Sequence, residues 1–486
     1  MGISAFLGLD IGGTGAKAGV YGRDGRLLGA GRAAYAPLIS PEGYAEISID
    51  LIYTSARDAA RQAIQAAGAP IQALAVATQG QTFAPLGADG APLHPAILWY
   101  DSRSVAEAEQ LQAAVQSTVA AEDMPFVEAI AAAPKILWLR RHYPQQMALA
   151  RRYLLLPDYF AYRLTGEAVT DPCTASTTAL YAEGAADYDL RVLAAAGIDK
   201  RELARIQPPG SPIARVRPQA AEEWGLSPET LVITGTNDQY AGALGAGNCR
   251  PGILTETTGT CLALVTLFTH TFNPPPGLQQ GAFPIEGYRY ALAYAKTAGL
   301  IVDWFRQQFG AGKSLAELEA LAAASPPGSR GVTVLPHFDG MVSPTPNQAS
   351  RGAFLGLTLG HTVGDLYRAV LESIAYSLRE NAELMRNSGL DFSVVRAIGG
   401  GAKSDLWLQM KADVMGVPIE RPAVTEAATL GAAMLAATGA GEFVSVAECS
   451  TAFYQAERVF APDPARREQY EAPYRAYREL YRKLYS

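Results

Sequence analysis

The chain has 486 residues, of which 49% are hydrophobic and 18% charged, and its formal net charge is −7 at pH 7. This composition is typical of a globular protein with two or more buried cores, because single cores stop growing near about 250–300 residues. No dense Lys/Arg cluster and no bilayer-length apolar run are present, which argues against a nucleic-acid surface and a membrane span.

The N-terminal sequence and the cysteines indicate where in the cell the protein is expected. MGISAFLGLD lacks a basic region followed by a long apolar stretch, so it does not resemble a signal peptide. Cys173, Cys249, Cys261 and Cys449 are far apart and form no CxxC pair, as in a reducing compartment. The five scattered histidines argue against a histidine metal site. We therefore predict a cytoplasmic protein.

The first part of the chain predicts strands joined by glycine turns. FLGLD (6–10) and AKAGVY (16–21) are apolar strands around a Gly-rich turn, and GRDG (22–25) leads into a third strand, RLLGAG. Helical apolar spacing predicts a helix over 50–67, with Asp50 as its N-cap, followed by a strand at 71–78. Residues 94–104 predict a strand running into a polar turn, and residues 105–165 a helical region.

The later chain repeats the opening pattern. Residues 206–218 are rich in Pro and Gly and predict a loop, and residues 229–247 predict a strand, a polar turn and a small-residue helix. Residues 252–268 form a second strand–Thr/Gly turn–strand pattern. Residues 394–416 predict strand, triple-Gly turn and helix, and 425–441 a small-residue helix that can pack closely on a backbone or ligand. We predict an α/β fold with domains 1–247 and 248–486.

Three glycine turns are candidate phosphate sites, because bare backbone N–H groups can approach an anion closely. They are Gly12–Gly13–Thr14–Gly15, Thr258–Gly259–Thr260 and Gly399–Gly400–Gly401. A tight hairpin explains any one of them alone, whereas three in one chain favour phosphate binding. Lys17 fits either a phosphate contact or a solvated strand position.

Two aspartates follow apolar strands beside these turns. Asp10 would repel a phosphate unless a divalent cation lay between them, and Mg²⁺ binds through one or two carboxylates plus phosphate oxygens. Asp238 could cap the helix that follows it. It could equally accept a proton from a hydroxyl that attacks a phosphoryl group.

A sugar or polyol site is indicated by ATQGQTFAPL (77–86) and LWYDSRS (98–104). These segments bring amides, an acid, an arginine and an aromatic ring to strand ends. A loop with a half-buried Trp99 is an equal alternative from the residues alone.

Longer motifs resemble the FGGY carbohydrate kinases, especially the xylulokinases within that family. GGGAKSDLWLQMKADVMGVPIERPAVTEAATLGAAMLA (399–436) is similar to the C-terminal signature of that family. PKILWLRRH (134–142) is similar to most of the other signature, with Ala132 where Pro, Ser or Thr is usual. Further segments follow in the family's order: LGLDIGGTGAKA, GTNDQYAGALGAG, TETTGTC, AGLIVDWF, LPHFDG and RGAFLGLT.

The resemblance implies two actin-like (ribonuclease H-like) ATPase domains with an interdomain cleft, and transfer of the ATP γ-phosphoryl group to a sugar or polyol. By this likeness Asp238 is the catalytic base, and Asp10 and Asp238 hold Mg²⁺, partly through water. The implied ATP-binding residues are Gly12, Gly13, Thr14, Lys17, Gly259, Thr260, Gly299, Asp303, Gly400, Gly401 and Ser404. The implied substrate-binding residues are Gln79, Gly80, Gln81, Trp99, Asp101, Arg103, Asp238 and Gln239. Relatives commonly dimerise, so a homodimer is compatible with the likeness.

The substrate is less clearly indicated. Xylulokinases usually carry Gln-Met-His where this chain has Gln79, Gly80 and Gln81, a run more similar to kinases of erythritol or L-xylulose-type substrates. Trp99, Asp101 and Arg103 keep the family's W-x-D-x-R pattern. A pentulose is the first expectation and a tetritol or other polyol the second.

Three rival functions share parts of these patterns. A hexokinase-like or repressor-type sugar kinase also opens with DIGGT, but neither its helix-turn-helix nor its Cys-rich zinc motif is found. A chaperone-type ATPase would leave WYDSR unexplained. A non-catalytic sugar sensor would not need Asp238.

Overall fold

The structure is a computed structural model that describes residues 5–116, 127–182, 185–270 and 272–485. Its contacts divide the chain into two compact units. The first unit comprises Met1–Gly247, Gly281–Glu286 and Glu426–Phe453, and the second comprises Asn248–Gln280, Gly287–Thr425 and Tyr454–Ser486. The predicted functional domains, residues 1–247 and 248–486, divide the chain at one point only, and that assignment stays a prediction.

Strands and helices alternate along the chain. The strands are β1 Ala5–Ile11, β2 Gly15–Gly22, β3 Leu27–Ala34, β4 Leu38–Ile39, β5 Ala45–Ile47, β6 Ile71–Thr78, β7 Phe83–Leu86, β8 Ala96–Ile97, β9 Arg152–Leu155, β10 Val169–Thr170, β11 Tyr181–Ala182, β12 Asp187–Tyr188, β13 Arg205–Ile206, β14 Pro212–Arg215, β15 Leu231–Asn237, β16 Gly252–Thr258, β17 Leu262–Phe268, β18 Gln279–Ala282, β19 Arg289–Ala295, β20 Thr333–Leu335, β21 Ala353–Leu355, β22 Phe392–Ile398, β23 Ile419–Pro422 and β24 Ala456–Phe460. The helices are α1 Ile49–Ala67, α2 Val105–Gln116, α3 Ala132–His142, α4 Pro144–Met147, α5 Leu156–Thr165, α6 Pro172–Ala175, α7 Leu190–Ala196, α8 Pro218–Trp224, α9 Asp238–Gly245, α10 Gly299–Phe309, α11 Leu315–Ala323, α12 Val363–Asn387, α13 Asp405–Met415, α14 Ala427–Gly439, α15 Val446–Phe453 and α16 Pro464–Tyr485.

A six-stranded sheet in the order β14-β15-β6-β1-β2-β3 forms the centre of the first unit. Its three middle strands, β15, β6 and β1, run parallel. Their near-continuous apolar sequences are typical of parallel strands that are covered on both faces. The carboxyl ends of these three strands therefore meet at one edge of the sheet.

Several predicted elements of the first unit are confirmed. β1, β2 and β3 form the predicted antiparallel run, and the strand at 71–78 is β6. The helix predicted over 50–67 begins at Ile49, so Asp50 as its N-cap is wrong. Ser48 is the N-cap because its hydroxyl accepts a hydrogen bond from the Leu51 N–H at 3.3 Å, and Asp50 lies in the first turn.

Other predictions in this unit are corrected. The strand running into a polar turn that residues 94–104 predict is present but short, since Ala96–Ile97 form β8 and the chain turns directly afterwards. Helices α2 to α5 occupy the region 105–165, but β9 interrupts them and residues 117–126 lie outside the described residues. The loop predicted at 206–218 contains β14, an edge strand that pairs antiparallel with β15. Its first residue is Pro212, and a proline at the start of an edge strand removes no N–H donor from the interior of the sheet.

Helix α14 packs on the first sheet and on α9 through small residues, as the sequence predicted. A Cβ atom on Gly8 would lie 1.8 Å from the carbonyl oxygen of Thr429, and one on Gly431 would lie 1.8 Å from that of Ala241. A Cβ atom on Gly245 would lie 1.9 Å from the carbonyl oxygen of Ala427. These contacts leave no room for any side chain, so they explain the run of small residues in α14.

The second unit contains a seven-stranded sheet in the order β18-β19-β17-β16-β22-β23-β24. The predicted strand–turn–strand at 252–268 is the antiparallel pair β16 and β17, and β22 lies parallel to β16. Helix α12 crosses the core of this unit, and its N-terminus is closed by a reciprocal capping box between Thr362 and Asp365.

In the part of the chain that the structure describes, no helix is long and apolar enough to cross a membrane.

Candidate active site

The candidate site in the first unit lies where β1, β6 and β15 end. Ile11 is in register with Thr78, and Thr78 is in register with Asn237. Asp10 in β1, Gln79 after β6 and Asp238 after β15 therefore lie at the same edge of the sheet. This is the edge at which α/β sheets bind ligands.

The carboxyl groups of Asp10 and Asp238 are held in environments that oppose ionisation. The pKa of Asp10 is raised to about 7, mainly by burial and also by the negative charge of Asp238, while Lys17 opposes the rise. Burial raises the pKa of Asp238 to about 6, although hydrogen bonds from Gln239 oppose the rise. A carboxyl group with this pKa can exchange a proton near neutral pH.

The cap of α9 is Asn237 and not Asp238. The Asn237 side-chain oxygen accepts a hydrogen bond from the Gln239 N–H at 3.0 Å, and Asp238 is the first residue of the helix. The capping role weighed for Asp238 in the sequence is thus filled by its neighbour. This leaves the Asp238 carboxyl group at the start of the helix for another role.

The first glycine turn joins β1 to β2 beside these aspartates. The Gly12 N–H donates to the Gly15 carbonyl oxygen at 3.0 Å. Tyr35 braces the turn, because its hydroxyl donates to the Gly12 carbonyl oxygen at 2.5 Å and its N–H donates to the Thr14 carbonyl oxygen at 3.1 Å. Both hydrogen bonds from Tyr35 end on carbonyl oxygens, so they hold the turn without using the N–H groups of Gly13 and Thr14.

Lys17 lies opposite Asp10 in the β1–β2 pair. Its ammonium group donates to a carboxylate oxygen of Glu426 at 2.7 Å, and both side chains are about half exposed. Burial opposes ionisation of Lys17, but the hydrogen bond and the charge of Glu426 raise its pKa. An anion beside this turn would therefore meet a charged lysine already oriented by Glu426.

Gln79 has a buried side chain whose amide is not satisfied. It is 3% exposed, and neither its Oε1 nor its Nε2 has a hydrogen-bond partner among the described residues. A Cβ atom on Gly13 would lie 3.4 Å from Gln79 Oε1, so the amide lies next to the first glycine turn. Buried amides are normally paired, so this one is arranged for a polar ligand or water.

Gly80 and Gln81 follow Gln79 directly in the segment between β6 and β7. A Cβ atom on Gly80 would lie 2.9 Å from Asn237 Nδ2 and 3.2 Å from Thr177 Oγ1, so the backbone approaches both residues closely. Gln81 adopts φ 58°, a left-handed conformation that turns the chain sharply into β7. Gln239, the residue after Asp238, is exposed.

The W-x-D-x-R segment forms a braced turn after β8. Asp101 and Arg103 pair through two hydrogen bonds, at 2.9 and 2.7 Å, and both side chains are fully buried. The guanidinium also bonds Glu46 at 2.6 Å and lies over the rings of Tyr44 and Trp138. This geometry favours a supporting role for Asp101 and Arg103 over direct contact with a substrate.

Trp99 is the exposed residue of the same turn. Trp99 is 39% exposed, and its backbone N–H donates to the Thr82 hydroxyl at 3.0 Å. The fully buried ammonium group of Lys135 donates to the carbonyl oxygens of Leu98 and Trp99 at 2.8 and 3.2 Å. Burial lowers the pKa of Lys135 to about 7. The turn therefore exposes the Trp99 side chain, while hydrogen bonds to Thr82 and Lys135 hold its backbone in place.

In the second unit, the turn between β16 and β17 meets the start of α10. The Gly299 N–H donates to the Gly259 carbonyl oxygen at 2.9 Å, and the Ala298 N–H donates to that of Thr260 at 2.9 Å. A Cβ atom on Gly299 would lie 2.4 Å from the Gly259 carbonyl oxygen, so glycine is required there. The side chain of Asp303, one turn along α10, is 58% exposed.

The triple-glycine turn contacts the same segment. Gly399 adopts φ 83°, and a Cβ atom on it would lie 2.7 Å from the Thr258 carbonyl oxygen. A Cβ atom on Gly401 would lie 2.7 Å from the Thr258 side chain. Ser404 caps α13, because its hydroxyl accepts from the Trp407 N–H at 3.2 Å. The structure thus brings together the ATP-binding residues predicted in this unit, and their binding role stays a prediction.

The sequence analysis missed four residues of these sites. Tyr35, Glu426, Lys135 and Thr177 each contact a predicted site residue, although none was selected. Lys135 and Glu426 lie inside two of the family-like segments, which was the available signal. No group of three or more His, Cys, Asp or Glu side chains arranged to hold a metal is found within the described ranges.

Two family models match the chain. The N-terminal domain model of the FGGY family of carbohydrate kinases matches residues 5–245, and the C-terminal domain model matches residues 257–440. The chain belongs to the FGGY family of carbohydrate kinases. The predicted family, the kinase activity class and the actin-like (ribonuclease H-like) fold of the two domains are thereby confirmed.

Individual relatives of this FGGY kinase act on different acceptors. A xylulose kinase of Staphylococcus epidermidis is 31% identical over 399 residues, covering 81% of this chain and 79% of that protein. A glycerol kinase of Bordetella parapertussis is 33% identical over 482 residues, covering 94% and 92%. The crystal structure of a xylulose kinase from Rhodospirillum rubrum superposes with a TM-score of 0.87 at 26% identity and covers 98% of each chain.

Proposed function

We propose that this carbohydrate kinase transfers the γ-phosphoryl group of ATP to a hydroxyl group of a pentulose such as xylulose. The observation that carries the proposal is the register of β1, β6 and β15, which brings Asp10, Gln79 and Asp238 to one edge of the first sheet. The similarity to two xylulose kinases supports the choice of a pentulose.

The acceptor site would use the residues that lie after β6, β8 and β15. The unsatisfied amide of Gln79 can bond a sugar hydroxyl, and the exposed ring of Trp99 can cover an apolar sugar face. Gly80, Gln81 and Gln239 would line the same corner. Asp101 and Arg103 would hold the Trp99 turn in place through their buried ion pair.

Asp238 would act as the general base. It takes the proton of the acceptor hydroxyl as the new oxygen–phosphorus bond forms and the bond to the bridging oxygen of ADP breaks. Its raised pKa suits that exchange, since a base works best when its pKa is near the working pH. In the first unit, Lys17 and the turn of Gly12, Gly13 and Thr14 would contact nucleotide phosphates, with the N–H groups of Gly13 and Thr14 as donors. The nucleotide contacts proposed in the second unit are Gly259, Thr260, Gly299, Asp303, Gly400, Gly401 and Ser404.

The residues of the first unit also fit a magnesium ion. Asp10 and Asp238 are close enough that the charge of one raises the pKa of the other, and a divalent cation would relieve this repulsion. Two carboxylates, with no group of three ligands found within the described residues, match Mg²⁺, which keeps water and phosphate oxygens as its remaining ligands. When bound, the ion would neutralise phosphate charge.

A polyol is the second candidate acceptor. The glycerol kinase of Bordetella parapertussis shares 33% identity with this chain over almost the whole length of both proteins. The Gln79–Gly80–Gln81 run also departs from the Gln-Met-His pattern expected of xylulokinases. Erythritol and glycerol therefore belong in any test of the acceptor.

The proposal is tested by following ADP release with pyruvate kinase and phosphoenolpyruvate, whose product pyruvate is reduced by lactate dehydrogenase with NADH. The purified full chain receives ATP, MgCl₂ and one acceptor at a time: D-xylulose, L-xylulose, D-ribulose, erythritol, glycerol or gluconate. We expect the highest kcat/KM with a pentulose. A polyol preference would replace pentulose by the second candidate, and acceptor-induced thermal stabilisation without turnover would favour a sugar sensor.

A further inference from the structure

A buried ion pair lies directly under the β16–β17 turn of the second unit. Lys411 of α13 and Glu256 of β16 are each fully buried, and the lysine ammonium donates to Glu256 Oε1 at 2.7 Å. The ammonium also donates to the Thr258 hydroxyl at 2.8 Å, and that hydroxyl bonds the same Glu256 oxygen. The ring of Trp407 lies 4.3 Å from the ammonium.

Thr258 connects this ion pair to the predicted nucleotide segments. It is the last residue of β16, and Gly259 and Thr260 follow it directly. Its carbonyl oxygen and its side chain are the atoms on which Gly399 and Gly401 pack. Gly259 in turn bonds the first residue of α10. Thr258 therefore contacts the triple-glycine turn directly and adjoins Gly259, which bonds α10.

We propose that Lys411 and Glu256 are positioning residues for the nucleotide-binding turn, which they hold through Thr258. The inference rests on the proposed use of ATP, because it concerns the turn expected to contact the nucleotide phosphates. Neither ionic side chain reaches that ligand, since both are fully buried. They fix the rotamer of Thr258, and this sets the path of the backbone at Gly259 and the packing of Gly399 and Gly401.

The chemistry favours this role over general stabilisation. A buried ion pair is costly to desolvate, and a pair of well-packed apolar side chains is often as stable or more stable. The second carboxylate oxygen of Glu256 has no hydrogen-bond partner within the described residues, so the pair is not arranged for maximal stability. What the pair supplies is a fixed hydroxyl orientation at the base of the turn.

The test is the double variant Lys411→Leu/Glu256→Leu, which removes both charges together and avoids leaving one of them buried alone. Isothermal titration with ADP measures nucleotide affinity, and steady-state kinetics measure KM for ATP and for the acceptor. We expect a melting temperature close to that of the unchanged protein. The Kd for ADP and KM for ATP should rise about 10-fold or more, while KM for the acceptor stays unchanged.

A matched control is the buried pair Arg368 and Glu372, which is joined at 2.7 Å in the same unit. These residues hydrogen-bond to Ala322, Ser325, Ser329 and Tyr470, and none of these partners in the described part of the chain belongs to the Thr258–Gly259–Thr260 turn. Arg368→Leu/Glu372→Leu should leave the Kd for ADP unchanged even if the melting temperature falls. An equal loss of affinity in this control would overturn the inference.

The inference and the proposed function fail in different ways. If the unchanged protein neither binds ADP nor consumes ATP, both are wrong. If it does both and the Lys411→Leu/Glu256→Leu variant binds ADP as tightly, only the positioning role is wrong. Thr258→Val is a second test of the positioning role, because it deletes the Thr258 hydroxyl and leaves the Lys411–Glu256 ion pair intact. It should weaken ADP binding in the same direction.

Discussion

Asp238 combines a strand-end position with a pKa near neutrality, and the neighbouring Asn237 performs the helix capping. If Asp238 is the base, Asp238→Asn should lower kcat by about 10²–10⁴-fold, because general-base catalysis contributes about that factor. ADP binding measured by titration in the absence of Mg²⁺ should persist, since Asp238 is proposed to contact the acceptor and the cation but not the nucleotide itself. Asp58→Asn, an exposed acid on α1, is the control and should keep full activity. Turnover of Asp238→Asn close to that of the unchanged protein would contradict the assignment.

The same carboxyl groups set a pH dependence for the reaction. The base must be ionised to accept a proton, and the pKa of Asp238 is about 6 while that of Asp10 is about 7. The two groups interact, so they titrate as a pair. We expect kcat/KM for the acceptor to rise with pH through this window and to level off above it, measured in buffers of constant ionic strength. A flat profile through this range would show that neither group titrates in the free enzyme.

For single residues, the sequence predicted which positions lie near the site better than it predicted which side chains pair with each other. Asp10 and Asp238 could be selected because an acid at the end of an apolar run lies at a known edge of an α/β sheet. Glu426 lies 409 positions from Lys17, and no local pattern indicates that they pair. The pairing of Asp101 with Arg103 depends on a turn whose backbone the sequence does not specify, and their role as substrate-binding residues stays a prediction.

At the scale of elements, α14 and α9 contact each other through backbone atoms. Because a Cβ atom on Gly431 would lie 1.8 Å from the Ala241 carbonyl oxygen, Gly431→Val must displace one helix. We expect a loss of about 1–3 kcal/mol in the free energy of unfolding, measured by urea denaturation. Because α9 begins at Asp238, kcat should fall as well.

Gly360→Ala is the matched control for that substitution. Gly360 is exposed, and the nearest atom to a Cβ there is 3.8 Å away. Its effect on the free energy of unfolding should stay within about 0.5 kcal/mol. Equal destabilisation by the two substitutions would show that the helix contact is not the cause.

Elements were predictable where periodicity or capping was strong. β1, β6 and the β16–β17 pair are long apolar runs, and the small-residue composition of α14 indicated close packing. β14 was missed because its residues are only partly buried and begin with proline, so neither alternation nor apolarity marks it. β9 was missed because it is four residues long and lies between helices.

For the whole molecule, the raised pKa values of Asp10 and Asp238 imply a pH-dependent stability. In the unfolded chain the pKa of both acids is near the ordinary aspartate value of 3.8, whereas in the folded protein the pKa values of Asp10 and Asp238 are about 7 and about 6. Between these values the folded state binds more protons, so their contribution to stability falls as pH rises. Compared with the unchanged protein, Asp10→Asn should gain stability between pH 4.5 and 7.5, measured as the difference in urea midpoint.

Asp365 provides a control of opposite sign. Burial opposes its ionisation, but hydrogen bonds from Ser325 and Thr362 lower its pKa to about 2. Its contribution is present above the unfolded-state value and is lost only as pH falls toward 2. The stability difference between Asp365→Asn and the unchanged protein should therefore stay constant from pH 4.5 to 7.5. A constant difference for Asp10→Asn as well would contradict the raised pKa.

The division of the molecule was the least predictable feature. Repeated hairpins indicated two halves, but the compact units do not follow chain order, because Glu426–Phe453 belongs with the first unit. Composition cannot show this, since the small residues of α14 would suit a helix packed in either unit.

That late segment has a consequence for biosynthesis. A ribosome delivers Gly8 and Gly245 long before it delivers Thr429 and Gly431, so the surface that receives α14 stays uncovered while about 180 further residues are translated. The nascent first unit thus reaches its final packing only after most of the second has been made. Premature termination before residue 426 would release a chain in which the surface that receives α14 stays exposed. Chaperones and proteases would act on such a chain.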